Sequence, residues 1–298
     1  MTALHTTTSS IAEHCIAERR APGAVRNILT IGQRELREAV SSRWFVLYTV
    51  AFAALGLAVS FVSASGSGGS GLAGYGRTTA GLINIVLLVV PLMALTAGAS
   101  SIASDRERGM LAYVLAQPVS RLEVLLGKYA GLAASLLASF GLGLGACALV
   151  LASKGVATKP TSILWLAGLS FALSLGMLSV GMLISVLARK TSVAIGTAIF
   201  VWLTLVFVTD LGLMAGALAL RLRIEELFAL SLVNPLQVFK MWSLHAGDAT
   251  LDVLGPAGLY ASEEYGPRLH LIFGACLLAW ILIPLTLAGA ILSRRSPL

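Results

Sequence analysis

The sequence predicts an all-α polytopic membrane protein, with six transmembrane helices preceded by an N-terminal helix lying in the membrane interface. Three observations carry this prediction. Apolar residues make up 57% of the 298 and charged residues only 12%, against about 25% charged in an ordinary soluble domain. Mean hydropathy is +0.88, so surface that a soluble domain covers with charge must here meet lipid. Six apolar stretches, roughly 44–63, 80–103, 126–152, 163–187, 192–217 and 270–292, each approach or exceed the roughly 20 residues that a spanning helix requires.

The chain divides accordingly. Residues 1–24 read as a disordered polar tail, 25–43 as an amphipathic interfacial helix, 44–292 as the transmembrane domain and 293–298 as a second tail. Over 25–43, Val25, Ile28, Leu29, Leu36, Ala39 and Val40 share one helical face, while Arg26, Arg34, Arg37 and Glu38 lie mostly on the other. That division suits a helix lying in the membrane plane. No secretory signal precedes it, so the first span is expected to act as an uncleaved anchor.

The net charge of +7 does not indicate nucleic-acid binding, because the basic residues form no stripe and have no interleaved aromatics. They fit membrane topology instead. With the N-terminus inside, the cytoplasmic segments hold 14 Lys and Arg residues, including Arg106, Arg108, Arg121, Lys128, Arg189 and Lys190. The outer segments hold 7, among them Lys154, Arg223, Lys240 and Arg268. Both termini are therefore expected in the cytoplasm of a cell (inner) membrane protein. Cys15, Cys147 and Cys276 are too few and too scattered for a disulfide framework or a zinc site.

Between the spans, Ser63–Gly71 is a flexible linker by composition. The extracytoplasmic loop 218–269 is much longer. Within it, Asn234, Pro235 and Gln237 make a helix start for a short amphipathic stretch from Leu236 to His245. Pro91 and Pro284 fall inside spans and predict kinks.

The most informative stretch is 104–118, with its continuation to Lys128. Ser104 with Glu107, and Ser120 with Glu123, fit capping boxes, and Pro118 stops the helix between them. Met110, Leu111, Val114 and Leu115 form an apolar stripe beneath the charged end Asp105-Arg106-Glu107-Arg108-Gly109. A short helix with an apolar face and charged flanks suits docking into a cleft on a soluble partner. The bland alternative is a solvated loop whose glutamates only cap helices, and the two are compatible.

The run from Asp105 to Arg121, followed by Gly127-Lys128, resembles the coupling region of ABC-2 type permeases, the membrane subunits of ATP-binding-cassette exporters. The resemblance extends over nearly the whole chain. Within the family it is most similar to NosY-type permeases of nitrous-oxide-reductase maturation. That likeness rests on Leu230–Lys240, on Val208-Thr209-Asp210 and on Cys276–Trp280 before the terminal arginines.

The resemblance implies a type V exporter-like fold, a homodimer and a cytosolic ATPase bound through Asp105, Glu107, Arg108, Gly109, Met110, Leu111, Val114, Pro118 and Arg121. It also implies an extracytoplasmic partner at 218–269 and movement of a sulfur-containing species during copper-site assembly. No phosphate loop is present: Leu122 stands where the G-x-x-x-x-G-K-[ST] pattern needs glycine, and Tyr129 follows Lys128. ATP and magnesium are therefore expected on a separate ATPase, with no cofactor on this chain.

Asp210 is the one acid within an apolar run and reads either as a pathway or interface residue or as an ordinary outer-boundary acid. Met241 and His245 stand four apart, a spacing that soft metals use, but two ligands do not make a site; Phe239 and Trp242 suit a membrane-surface helix equally well. Gly141, Gly143, Gly145, Gly176 and Gly181 predict close helix packing. No G-x-S-x-G or H-E-x-x-H motif supports an intramembrane enzyme. A generic exporter of lipid, drug or peptide and a non-transporting membrane scaffold are the alternatives.

Overall fold

Each of the six apolar stretches forms a helix. The computed structural model describes residues 23–65, 72–117, 119–153, 160–218, 223–246 and 264–294. Helix α1 (Ala24–Ser41) is followed by α2 (Arg43–Ser65), α3 (Leu72–Glu107), the short α4 (Met110–Leu115), α5 (Arg121–Ser153), α6 (Pro160–Leu187) and α7 (Thr191–Leu218). A helix pair, α8 (Ile224–Val233) and α9 (Pro235–Ala246), precedes a 3₁₀ turn at Gly266–Arg268 and the last helix, α10 (Leu269–Arg294). The expected tails at 1–22 and 295–298, the linker residues 66–71 and Pro118 lie outside the described residues.

Four helical stretches are long and apolar enough to cross a membrane: Ala80–Glu107, Arg121–Val150, Ile163–Leu187 and Leu269–Arg294. Two bent pairs raise the count to six if each is one span: α1 with the first part of α2, at 64°, and α8 with α9, at 109°. Neither Pro91 nor Pro284 ends its helix.

The core is built on α3 and α6, which approach closely because both carry glycine at the crossing. A Cβ on Gly98 would stand 2.7 Å from the Leu178 carbonyl oxygen, and Gly181 lies against Leu95 and Ala99. In lipid, where apolar burial gives little drive for association, such contacts let backbones pack and gain dispersion energy. Leu95, Ala99, Ile102, Leu178 and Met182 are fully buried around the crossing. Ser185 on α6 accepts hydrogen bonds from Ile102 N–H at 2.9 Å and Ala103 N–H at 2.8 Å, fixing the last turns of α3. Of the other expected packing glycines, Gly143 receives the Phe52 ring and Gly176 meets Trp280, whereas Gly141 and Gly145 face open space.

Helix α1 is held on α5 by a stripe of small and polar residues. Gly32 meets Gly127 and Gly131; a Cβ on Gly131 would collide with the Gly32 carbonyl oxygen and stand 2.7 Å from Glu35 Cβ. Asn27 Nδ2 donates to Glu123 Oε2 at 2.8 Å at one end of the stripe. The face of α1 turned to α5 therefore includes Asn27, Gly32 and Glu35, while Val25, Leu29 and Val40 stay exposed. Exposure of those three suits a helix half in the interface. Gly131→Ala is expected to destabilise the protein by about 1–3 kcal/mol through overpacking, read as a lower unfolding temperature in detergent. An unchanged temperature would show that the α1–α5 contact is loose.

The segment 224–246 corrects the expectation of a surface helix in an outer loop. Asn234 does cap α9, its Oδ1 accepting from Leu236 N–H at 2.9 Å with Pro235 at the first helical position. Its Nδ2 also donates to the Leu205 carbonyl of α7 at 2.7 Å. Yet α9 is packed into the bundle: Leu236, Val238, Phe239, Met241 and Leu244 are buried. An apolar run interrupted by Asn-Pro reads as a loop when its contacts are unseen, but here it inserts as a sharply bent helix pair. Residues 247–263 lie outside the described residues.

Candidate functional site

One end of the bundle gathers the residues that the sequence singles out. Helix α3 runs without interruption through Ser104 to Glu107, and Arg108 N–H still bonds to the Ser104 carbonyl at 3.0 Å. No new helix starts at Ser104, so the expected capping box with Glu107 does not form. The chain turns at Gly109, whose φ of +72° favours glycine. After the six residues of α4, Ser120 opens α5. There the second expected capping box is present: Glu123 N–H donates to Ser120 Oγ at 3.2 Å, and Ser120 N–H donates to Glu123 Oε2 at 3.4 Å.

The charged residues around α4 are spent on neighbouring helices. Glu107 Oε2 accepts from Thr191 N–H at 3.0 Å and so caps the start of α7. Arg106 donates to the Val186 and Ala188 carbonyls at the end of α6. Arg121 donates to the Leu292 and Ser293 carbonyls at the end of α10, at 3.1 and 3.2 Å. An acid therefore meets a helix N-terminus and cations meet helix C-termini, the arrangement that satisfies unpaired backbone groups and complements the helix dipoles.

Asp105 joins a buried ion cluster that sequence reasoning missed. Lys128 Nζ lies 2.8 Å from Asp105 Oδ2 and 2.7 Å from Glu35 Oε2, and its side chain is 7% exposed. Lys128 is thus a structural centre linking α1, α3 and α5 rather than a topological loop charge. Burial raises the Glu35 carboxyl above the ordinary carboxylate range, against the pull of Lys128. The available signal was a lysine about two turns into an apolar helix, beside glutamate and glycines spaced by four: Glu123, Gly127 and Gly131.

What remains free is a compact surface. Leu111, 6% exposed, anchors α4 in the core, and Val114 is half-buried. Tyr113 is 68% and Met110 38% exposed, and Arg108, Arg189 and Lys190 are exposed at the same end. This is an apolar patch with a basic collar, rigidly mounted on four helix ends.

The family model for ABC-2 family transporter proteins matches residues 29–296. The chain belongs to this family. The permease is 29% identical over 279 residues to a probable ABC transporter permease protein NosY of Stutzerimonas stutzeri, covering 91% of this chain and 99% of that protein. A probable NosY permease of Pseudomonas aeruginosa is 28% identical over 232 residues, 74% of this chain and 83% of that one. The permease is therefore a NosY-like, multi-pass transporter subunit.

Two further candidates are placed differently. Asp210 falls within helix α7, and its side chain lies outside the described residues. Met241 and His245 do not act as a pair: Met241 is buried with its sulfur 3.6 Å from Ser231 Oγ, while the His245 ring lies 4.8 Å from His270 between centroids. His270 Nδ1 already accepts from Trp242 Nε1 at 2.9 Å. Among the described residues no group of three metal-ligating side chains occurs.

Proposed function

We propose that the permease is the membrane half of an ATP-driven exporter, with a cytosolic ATPase seated on α4. The observation that carries this reading is the rigid mounting of that helix. Arg106 and Glu107 at the end of α3 and Arg121 at the start of α5 tie the two helices that flank α4 to α6, α7 and α10. Asp105 links α3 through Lys128 to α5 and α1, and Leu111 anchors α4 itself in the core. A push on Met110 and Tyr113 passes to the bundle through the buried Leu111 and the braced ends of α3 and α5.

The reading places six spans, α2, α3, α5, α6, α7 and α10, in a cytoplasmic (inner) membrane, with α1 in the interface and both termini inside. The bent pair α8–α9 then enters from the outer side without crossing. Two copies of the permease enclose the path, and each copy takes one ATPase, which carries ATP and magnesium. Similarity to the two NosY permeases supports a role in copper-enzyme maturation, with the permease moving a small species toward assembly of a nitrous oxide reductase. An outer partner then docks on the 218–269 segment.

The test is purification of the full chain in mild detergent from its own cells. An ATPase subunit is expected in equal amount, with hydrolysis that depends on the permease. The reductase from cells lacking the permease is expected to be copper-deficient. A permease that recruits no ATPase is a scaffold, and normal copper loading without it rejects the maturation role.

A further inference from the structure

Helix α9 carries a cationic side chain that the surface around α4 does not use. Lys240 follows the fully buried Phe239 in α9 and is itself half-buried. Among the described residues it forms no ion pair and no hydrogen bond. Lys128, by comparison, has two carboxylates within 2.8 Å. An ammonium group in apolar surroundings is costly to maintain, and an unpartnered one marks a place where charge is supplied from outside.

Lys240 borders a cavity of about 170 Å³. Two amides, Asn84 of α3 and Gln237 of α9, line it with Lys240, and Leu87, Leu88, Val206 and Leu236 form its apolar wall. Gln237 is buried to 5% exposure, and neither amide side chain bonds to the described chain. No carboxylate is among the described residues that line it. The first turn of α9 also borders the space, and the start of a helix carries partial positive charge. A few convergent polar groups in an apolar hollow are the usual form of a small-molecule site.

We infer that this cavity binds a small oxyanion group, a carboxylate, phosphate or sulfonate, joined to an apolar body. Lys240 supplies the charge, Asn84 and Gln237 donate through their amides, and the four aliphatic side chains receive the adjoining carbon chain. The volume sets the scale, because a protein cavity of about 150 Å³ accommodates a molecule the size of benzene. One charged head with a few carbons fits; a folded peptide does not. Such a group could arrive on an anionic lipid or on a free cargo molecule, and both present the same chemistry. The inference goes beyond the permease reading and makes no use of the ATPase.

The full chain, reconstituted in phosphatidylcholine nanodiscs, tests it with two probes. Phosphatidylglycerol doped into the discs represents the lipid source and is read by native mass spectrometry. Soluble hexyl phosphate represents the free source and is read by the rise in unfolding temperature, with hexanol as the uncharged control. Binding of at least one anionic probe is expected, weakened about tenfold or more in Lys240→Met, as the loss of a charge-assisted hydrogen bond predicts. Lys240→Arg is expected to restore most of it and Gln237→Leu to weaken it several-fold. Because Lys240 has no partner in the described chain, the Met variant should keep its probe-free unfolding temperature. Response to phosphatidylglycerol alone assigns a lipid site, and response to hexyl phosphate assigns a free-ligand site. Equal binding by wild type and Lys240→Met, hexanol matching hexyl phosphate, or no binding of either anion overturns the inference.

Discussion

Replacing Met110 and Tyr113 together by aspartate is expected to abolish co-purification of the proposed ATPase while leaving the permease folded. Both side chains are exposed, and neither has a hydrogen bond or ion pair to the described chain, so the cost to the fold is small. The cost to docking is large, because a well-packed interface concentrates its energy in a few apolar and aromatic anchors. Loss of two such anchors, with two charges buried in their place, corresponds to at least about 3 kcal/mol, or roughly a hundredfold in affinity. Pull-down in mild detergent measures it, with an unchanged size-exclusion profile as the folding control. Leu111 is the wrong residue for this test: it is buried, so truncating it to alanine costs about 2–5 kcal/mol of stability whether or not a partner docks. An intact complex in the double aspartate variant would place the ATPase elsewhere.

Lys128→Met is expected to be the most destabilising single change at this end of the molecule. Lys128 is the only cation that the described ion pairs give to Glu35 and Asp105, at 2.7 and 2.8 Å. Removing one partner of a buried pair leaves an uncompensated charge and costs about 3–5 kcal/mol. The methionine stem fills much of the same volume, so the loss is electrostatic rather than a cavity effect. A fall in unfolding temperature measures it. Adding Glu35→Gln should recover part of the loss, because one of the two stranded charges is then gone, and the two effects should be non-additive. A Lys128→Met protein as stable as wild type would mean that the cluster is solvated and that α1 is held by its glycine contacts alone.

How much of this was legible in advance varies from residue to residue. The Ser120–Glu123 cap follows from local chemistry and appears as the sequence predicts, and a short helix does precede it, although it starts at Met110 after a turn at Gly109 and not at Ser104. The Ser104–Glu107 cap does not, because that motif is also what a continuing helix looks like when its glutamate reaches sideways to another element. Glu107 caps α7 instead, across 84 positions of sequence, and no local pattern encodes that choice. Likewise the apolar stripe of α4 predicts one sticky face, but packing divides it: Leu111 turns inward and Met110 outward.

The sequence by itself determined the class of molecule. Its hydropathy, its six apolar stretches and its charge placement are sums over local residues, and lipid enforces them because every backbone polar group must be satisfied within a helix. It also placed the start of α5, through the Ser120 and Glu123 capping residues, which act over one turn. Only the tertiary structure decided which charges are free. Asp105, Arg106, Glu107, Arg121 and Lys128 read as one exposed charged loop, yet five helices and the α1 carboxylate claim them. The tertiary structure likewise drew the α8–α9 pair from an outer loop into the bundle and left Lys240 facing a cavity. Partners separated by tens of residues meet by packing, and packing energy depends on contacts that no local window contains.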